Sequence, residues 1–373
     1  MAGDLQMQAM QTVVPAKATE PGLRHLIDLS GRSSRELFTE HISIIFYYKQ
    51  MWEPDKDALI LGGWIKESLT NALPDLPVLA GRVDAEDHYA VKCNDAGIRL
   101  VSAQANCRLK DWQEGVANNK NMEAQLAYWK DVDHDHPQNS PLCYVQVTNF
   151  QGEEFSIGIS CSLLVADPLI LTNFVKTWSE HHLKLAPKSN DPSKLPLFYR
   201  PIIRKSILSN VLNAPCGYPH YETVVFKLSA ANMKRLSMVV QDGRCVTGHV
   251  DPLEVLASLC YDKAKQNYAG EASAAFSLFS SKDKRSKKVS LCLTAEDSEG
   301  LSKEQSDISK GLTATNWDAL SPYEVDFQGN SKPVRVSYLI EPFHGEGVVI
   351  IMGSNDDSAS DRFIGVTVPQ NKI

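Results

Sequence analysis

The stretch from Ile157 to Trp178 constrains the architecture of this chain more than any other. Ile157-Gly-Ile-Ser-Cys-Ser-Leu-Leu-Val-Ala reads as a strand buried on both faces. Asp167-Pro168 then turns the chain, because proline fixes φ at about −65° and removes a backbone donor. Beyond it Leu171, Phe174, Val175 and Trp178 recur at helical spacing. A buried strand that passes through a tight turn into an amphipathic helix belongs to a mixed α/β fold.

Other segments extend that pattern. Thr12 to Thr19 opens extended, with Pro15 against helix. His25-Leu-Ile-Asp-Leu-Ser30 and Ile42-Ser-Ile-Ile-Phe-Tyr-Tyr48 read as strands. Leu61 to Ala72 leads into the turn Pro77-Val-Leu-Ala-Gly-Arg82. Val91 to Leu100 reads as a hairpin closed by Asn94-Asp-Ala-Gly97. Pro141 to Phe150 is the strand before the Ile157 segment. From His182 to Cys216, five prolines and six Lys or Arg interrupt the periodicity and mark a crossover linker. Glu222 to Leu228 is again a strand, Ser229 caps a helix from Ala230 to Val240, and Pro252 to Gln266 forms another. Residues 268–312 are polar, and only Val289 to Thr294 reads as a strand there.

Taken in order, these segments resemble the plant BAHD acyl-CoA-dependent acyltransferases over roughly residues 12–353. The family's catalytic segment places a His four residues before an Asp, and that His takes the proton from an acceptor hydroxyl or amine. Here the Asp is Asp167, and the position four before it is Leu163. Leucine has no titratable group and cannot act as a general base at any pH. The segment Trp317 to Pro333, with Asp326-Phe327-Gln328-Gly329 at its centre, resembles the second family signature, Asp-Phe-Gly-Trp-Gly-Lys-Pro, without its Gly-Trp. The paired departures, with the turn Asn94 to Arg99, resemble the eceriferum/glossy-type proteins of cuticular wax formation.

The resemblance implies two chloramphenicol-acetyltransferase-like halves, mixed sheets flanked by helices, with a channel between them. The halves fall at 1–182 and 217–373, joined by the Pro-rich crossover 183–216. The second half is shortened: Asp167 to Asp326 is 159 residues, and the Gly-Tyr-Phe-Gly-Asn-like element beside the cofactor channel is missing. That predicts fewer strands there and an uncovered edge. The implied role of Asp167 is structural, through a salt bridge. Asp326, Phe327 and Gly329 brace the channel, and the missing Trp predicts a looser junction. The resemblance implies acyl-CoA as ligand and a fatty-acid elongase complex at the cytosolic face of the endoplasmic reticulum as partner. It implies a monomer with no covalently bound cofactor. Two readings follow: a catalytically degenerate BAHD protein, or an active O- or N-acyltransferase with a relocated general base.

Candidate substitute bases are few. His181 and His182 end the helix after Pro168 and complement its C-terminus. His220 precedes the second-half strand. His134-Asp-His136 has two imidazoles but no third ligand in a Pro-ended loop, so no metal is expected. Cys161 and Ser162 flank Leu163 but have no adjacent base in sequence, so they read as packing. In a regular strand Ser162 and Leu163 face opposite ways.

The 373 residues carry a net charge of −7 with no large basic tract, which argues against nucleic-acid binding. The one local basic cluster, Lys282 to Lys288, reads as a solvated loop or a contact for an anionic group. No stretch has the apolar length of a membrane span, and the first residues lack the features of a secretory signal. Eight cysteines without Cys-x-x-Cys spacing fit reduced core thiols of a cytosolic protein.

Overall fold

The computed structural model describes residues 5–31, 34–49, 58–84, 86, 90–119, 121–152, 154–185, 221–241, 251–268, 274–283, 285–293, 303–329, 331–343, 345–354 and 361–369. In chain order the strands are β1 (Leu5–Val13), β2 (Arg24–Ser30), β3 (His41–Tyr48), β4 (Arg82–Val83), β5 (Ala90–Lys92), β6 (Ile98–Arg108), β7 (Cys143–Gln151), β8 (Phe155–Ser162), β9 (Tyr221–Leu228), β10 (Ala275–Asp283), β11 (Ser286–Leu293), β12 (Thr313–Thr315), β13 (Arg335–Glu341), β14 (Gly347–Ser354) and β15 (Arg362–Pro369). The helices are α1 (Ser34–Leu37), α2 (Ala58–Ala72), α3 (Leu109–Asn118), α4 (Asn121–Ala124), α5 (Pro168–Leu185), α6 (Ala230–Gln241), α7 (Pro252–Tyr268) and α8 (Lys303–Gly311).

Two mixed sheets carry the fold, as the resemblance implies. One has the order β1-β6-β7-β8-β3-β13, and the other β12-β9-β15-β14-β10-β11-β2-β5-β4. Parallel pairs occur at β6/β7, β10/β14 and β11/β2. The sheets do not follow the halves of the sequence. β2, β4 and β5 belong to the second sheet, and β13 crosses back to the first. Each sheet is therefore completed by chain from the other half. The second sheet has nine strands, three of which, β2, β4 and β5, come from the first half of the sequence. Of the crossover, residues 183–185 continue α5 and the rest lie outside the described residues.

The hairpin expected at Val91 to Leu100 does not form. β5 ends in the second sheet and β6 starts in the first. The turn between them is built as the sequence predicts, with Asp95 and Gly97 at φ 55° and 83°. Its Asp95 carboxylate accepts the Thr19 N–H at 2.7 Å and hydroxyl at 2.6 Å. Left-handed turn residues thus carry the chain between sheets instead of closing a pair.

α2 and α5 pack together over the large core that joins the two sheets. Its centre includes Ile44, Ile157, Ile159, Leu163, Trp178 and Phe327. α7 covers the second sheet through Leu256, Cys260 and Tyr261, on the face its sequence spacing marks as apolar. α3 and α4 cover the outer face of the first sheet with Trp112, Val116 and Met122. α6 begins as expected, with Ser229 Oγ accepting the Asn232 N–H at 3.3 Å. The polar stretch 268–312 contains more structure than its composition indicates: β10, β11 and α8 all fall within it.

Candidate functional site

β8 is buried along its whole length and ends at Ser162. Its strand alternation therefore stops before Leu163, which opens a turn instead of facing away from Ser162 on a regular strand. The turn is held from three directions. The Ser162 N–H donates to the Leu142 carbonyl at 3.0 Å, the Leu163 N–H to the Glu40 carbonyl at 3.2 Å, and the Leu164 N–H to Ser162 Oγ at 3.3 Å. Leu163 is fully buried in the joint core. At the position where the family resemblance predicts a base, the structure has an aliphatic packing group.

Asp167 is fully buried and makes two kinds of contact. Oδ1 accepts the Ile170 N–H at 2.9 Å, which caps α5, and Pro168 takes the first helical position where a missing N–H is harmless. Oδ2 lies 3.4 Å from Lys287 Nζ, with both side chains at most 1% exposed. Lys287 also donates to Ser281 Oγ at 3.4 Å. The structural role expected of Asp167 is thus filled by β11. The basic cluster divides where it is described: Arg285 stands exposed in the turn between β10 and β11, while the two lysines that follow are paired within the protein. Lys287 is buried against Asp167, and Lys288 pairs with Asp251 at 2.8 Å and Glu254 at 3.2 Å on α7.

Two groups near the turn carry no local signal in the sequence. Glu40, just before β3, is fully buried. Its Oε1 accepts the Ser277 hydroxyl at 3.2 Å and the Phe343 N–H at 3.3 Å. It therefore ties the turn to the second sheet. His25, on β2, bonds through its ring to the backbone of Leu164. Its Nε2 is buried and unpartnered. Burial and the charge of Lys287 pull the imidazole down to about 4, so it is neutral near pH 7. Only the partner strands, far apart in sequence, bring these two groups to position 163.

The expected substitutes are committed elsewhere. His181 Nε2 lies 3.0 Å from Asp75 Oδ2. His182 is buried, with Nδ1 3.1 Å from Ser68 Oγ and its ring edge-on to Phe327. Both make side-chain contacts with the packed α2 region in place of the expected C-terminal dipole role. His134 stacks on Phe38 at 5.1 Å, and Asp133 accepts the His136 backbone N–H. Among the described residues, no group of three His, Cys, Asp or Glu could hold a metal ion. His220 lies outside the described residues. Burial pushes the Cys161 thiol well above its ordinary range, which keeps it protonated and a poor nucleophile.

The second signature forms a compact brace. Asp326 Oδ1 accepts the N–H groups of Gln328, Gly329 and Ser331 at 2.7, 2.8 and 3.4 Å. Gly329 supplies the left-handed residue of this loop at φ 74°. Phe327 is buried against Trp178, ring centroids 4.7 Å apart, with Tyr48 edge-on at 6.4 Å. Phe327 and Trp178 meet edge to face at this brace.

Residues 4–280 match the model of the Transferase family. Vinorine synthase of Rauvolfia serpentina is 25% identical over 186 residues, 48% of this chain and 42% of that protein. Protein ECERIFERUM 26-like of Arabidopsis thaliana is 26% identical over 118 residues, 31% of this chain and 27% of that protein. The chain thus spans less than half the length of these curated relatives. A crystal structure of vinorine synthase superposes with a TM-score of 0.51 at 14% identity, covering 98% of this chain and 95% of that one. At that identity the likeness is one of fold.

Proposed function

This chain belongs to the Transferase family of BAHD acyltransferases, and from that premise we propose that it is a degenerate member. In this reading it binds a long acyl-CoA without transferring the acyl group. It assists very-long-chain acyl elongation in cuticular wax formation, as a monomer beside an elongase complex on the cytosolic face of the endoplasmic reticulum. Among the described residues no helix is long and apolar enough to cross a membrane, so that association would run through the partner. The halves 1–182 and 217–373, with the crossover between them, belong to the same proposal.

One observation carries it. The side chain at 163 is a fully buried leucine, while Asp167 four residues on is wholly engaged as a helix cap and ion-pair partner. A positioned general base contributes on the order of 10²–10⁴ in rate, and this turn supplies none from its own segment. The likeness to Protein ECERIFERUM 26-like supports the assignment to wax chemistry.

The relocated-base reading has one observation in its favour, the neutral His25 imidazole bonded to Leu164. Against it, Nε2 is closed off from solvent, and a base near pKa 4 has little driving force for taking a proton from an alcohol. The experiment uses purified full chain with stearoyl-CoA and a panel of alcohol and amine acceptors. Thermal stabilisation by stearoyl-CoA with no release of free coenzyme A is the expected result. Robust release by the unmodified chain, abolished in His25→Gln, would establish the relocated base instead. No binding and no turnover would remove both readings.

A further inference from the structure

Arg82 closes the turn Pro77-Val-Leu-Ala-Gly-Arg82, which the acyl-transfer reading leaves unused. Its backbone is held closely. A Cβ on Gly81 would lie 2.7 Å from the Lys92 carbonyl, so only glycine lets β4 start this near to β5. The Gly97 N–H donates to the Ala80 carbonyl at 3.0 Å, which ties this turn to the one at Asn94 to Gly97. The Arg82 residue is 4% exposed. Its Nη1 donates to the Gly81 carbonyl at 2.7 Å and its Nη2 to the Ala96 carbonyl at 3.2 Å. Both acceptors are neutral, and a guanidinium has five N–H donors to place.

The other fully buried cation of this region, Lys287, faces Asp167. Arg82 faces a second cation instead. Asp84, two residues on, pairs with Arg24 and with Lys92, the latter at 2.8 Å. Among the described residues no carboxylate acts on Arg82. Burial, and then the charge of Arg99, pull it down to about 10, so it remains positive at neutral pH. Arg99 is half-buried on β6 and stands in register with Tyr144 on the parallel strand β7, so the two side chains leave the same face. The Tyr144 ring lies 5.3 Å from that of Tyr128. Burial and the Tyr128 hydroxyl push Tyr144 up to about 12, while Arg99 and Arg82 pull against them. Its hydroxyl therefore keeps its proton and can donate.

We propose that Arg82 and Arg99, with the hydroxyls of Tyr128 and Tyr144, bind an oxyanion: the phosphate or carboxylate group of a small molecule. The chemistry selects the sign of the charge. A buried cation held beside a second cation is costly, and an anion between them relieves both the burial and the repulsion. A neutral ligand relieves neither. Guanidinium forks match the paired oxygens of a carboxylate or phosphate, and protonated phenols add donors without adding charge. Arg99 and Tyr128 are both partly exposed, which opens the site to solvent.

The test titrates the full chain near pH 8, at constant ionic strength, with phenyl phosphate, benzoate and neutral benzamide, followed by calorimetry. At least one of the two anions is expected to bind at least about tenfold tighter than benzamide, the factor that one charge-assisted hydrogen bond supplies. Tighter binding of phenyl phosphate would support the site as one for phosphate, and tighter binding of benzoate as one for carboxylate. Arg99→Gln, at a partly exposed position, should remove the preference for the anion, and Arg82→Gln should do the same. If neither anion is preferred over benzamide by the unmodified chain, the proposal is overturned, and that comparison needs no variant to fold. A preference that survives in Arg99→Gln would place the anion elsewhere and overturn it equally. No coenzyme A enters these titrations, so their failure is distinct from failure of acyl-CoA binding.

Discussion

Removing the charge on Lys287 should destabilise the fold far more than its place in a basic tract indicates. Nζ lies 3.4 Å from Asp167 Oδ2, and both side chains are buried. At an effective dielectric constant of about 20, two unit charges at that distance attract by about 5 kcal/mol. Desolvation of both groups offsets much of this, so the intact pair adds little net stability. Breaking it is different. Lys287→Met leaves Asp167 charged and buried, a change of about 3–5 kcal/mol. Asp167→Asn keeps an oxygen that can accept the Ile170 N–H, so the cap worth about 1 kcal/mol survives while the charge is lost. The double variant has no stranded charge. Its destabilisation should fall short of the sum of the single changes by at least about 2 kcal/mol. Denaturant unfolding of the four proteins, followed by circular dichroism and Trp fluorescence, measures this coupling. A coupling below about 0.5 kcal/mol, the usual additivity error, would refute the buried-pair account.

Stability should fall as pH drops from about 6.5 to 4. His25 and His182 are both pulled down to about 4, chiefly by burial. The unfolded chain therefore takes up protons in that window that the native state refuses, with a ceiling of about 3 kcal/mol for each group. Glu341, pushed up to about 7, acts in the opposite sense: its contribution is full below its unfolded pKa and is lost as pH rises to 7. Unfolding midpoints that stay flat from pH 7.5 to 5 would contradict the histidine assignment. Gly158→Ala should destabilise by about 3 kcal/mol, because a Cβ there would run into the Leu126 carbonyl and lie 2.9 Å from Ala127 Cα, both backbone atoms. Phe327→Ala should cost about 3–5 kcal/mol by opening the space beside Trp178, read as a lowered denaturation midpoint.

The sequence exposes most clearly those elements whose burial repeats along the chain. β3 and β8 are apolar runs, and α5 and α7 carry stripes at helical spacing, so each could be placed from its own residues. β10 was obscured because its buried positions include serines. Ser277 and Ser280 are interior, and Ser277 reaches Glu40 across the sheets, so a core strand reads as polar. The false hairpin has a different cause. Asp95 and Gly97 specify how sharply the chain bends, but the choice of partner strand depends on residues such as Thr19, 76 positions away from Asp95. Charge was equally uninformative about depth: Lys287 and Lys288 are adjacent, yet one is sealed against Asp167 and the other pairs near the surface of α7. His25 and Glu40 reach the turn only through sheet order, which no local spacing encodes.

Under the proposed non-catalytic reading, a segment that keeps Asp167 without a base at 163 has a physical explanation. A general base at 163 would serve only chemistry; in the folded chain that position lies inside a core where an aliphatic group packs without needing a partner. Asp167 is different, because it answers two structural demands at once. It satisfies an N–H at the start of α5 and neutralises a lysine that β11 buries beside it. Replacing Asp167 strands Lys287 even when no substrate is ever bound, whereas replacing a base with leucine strands nothing. The two positions, four residues apart, are therefore under unequal physical constraint. If the proposed loss of acyl transfer is right, the chain could lose the first and still need the second.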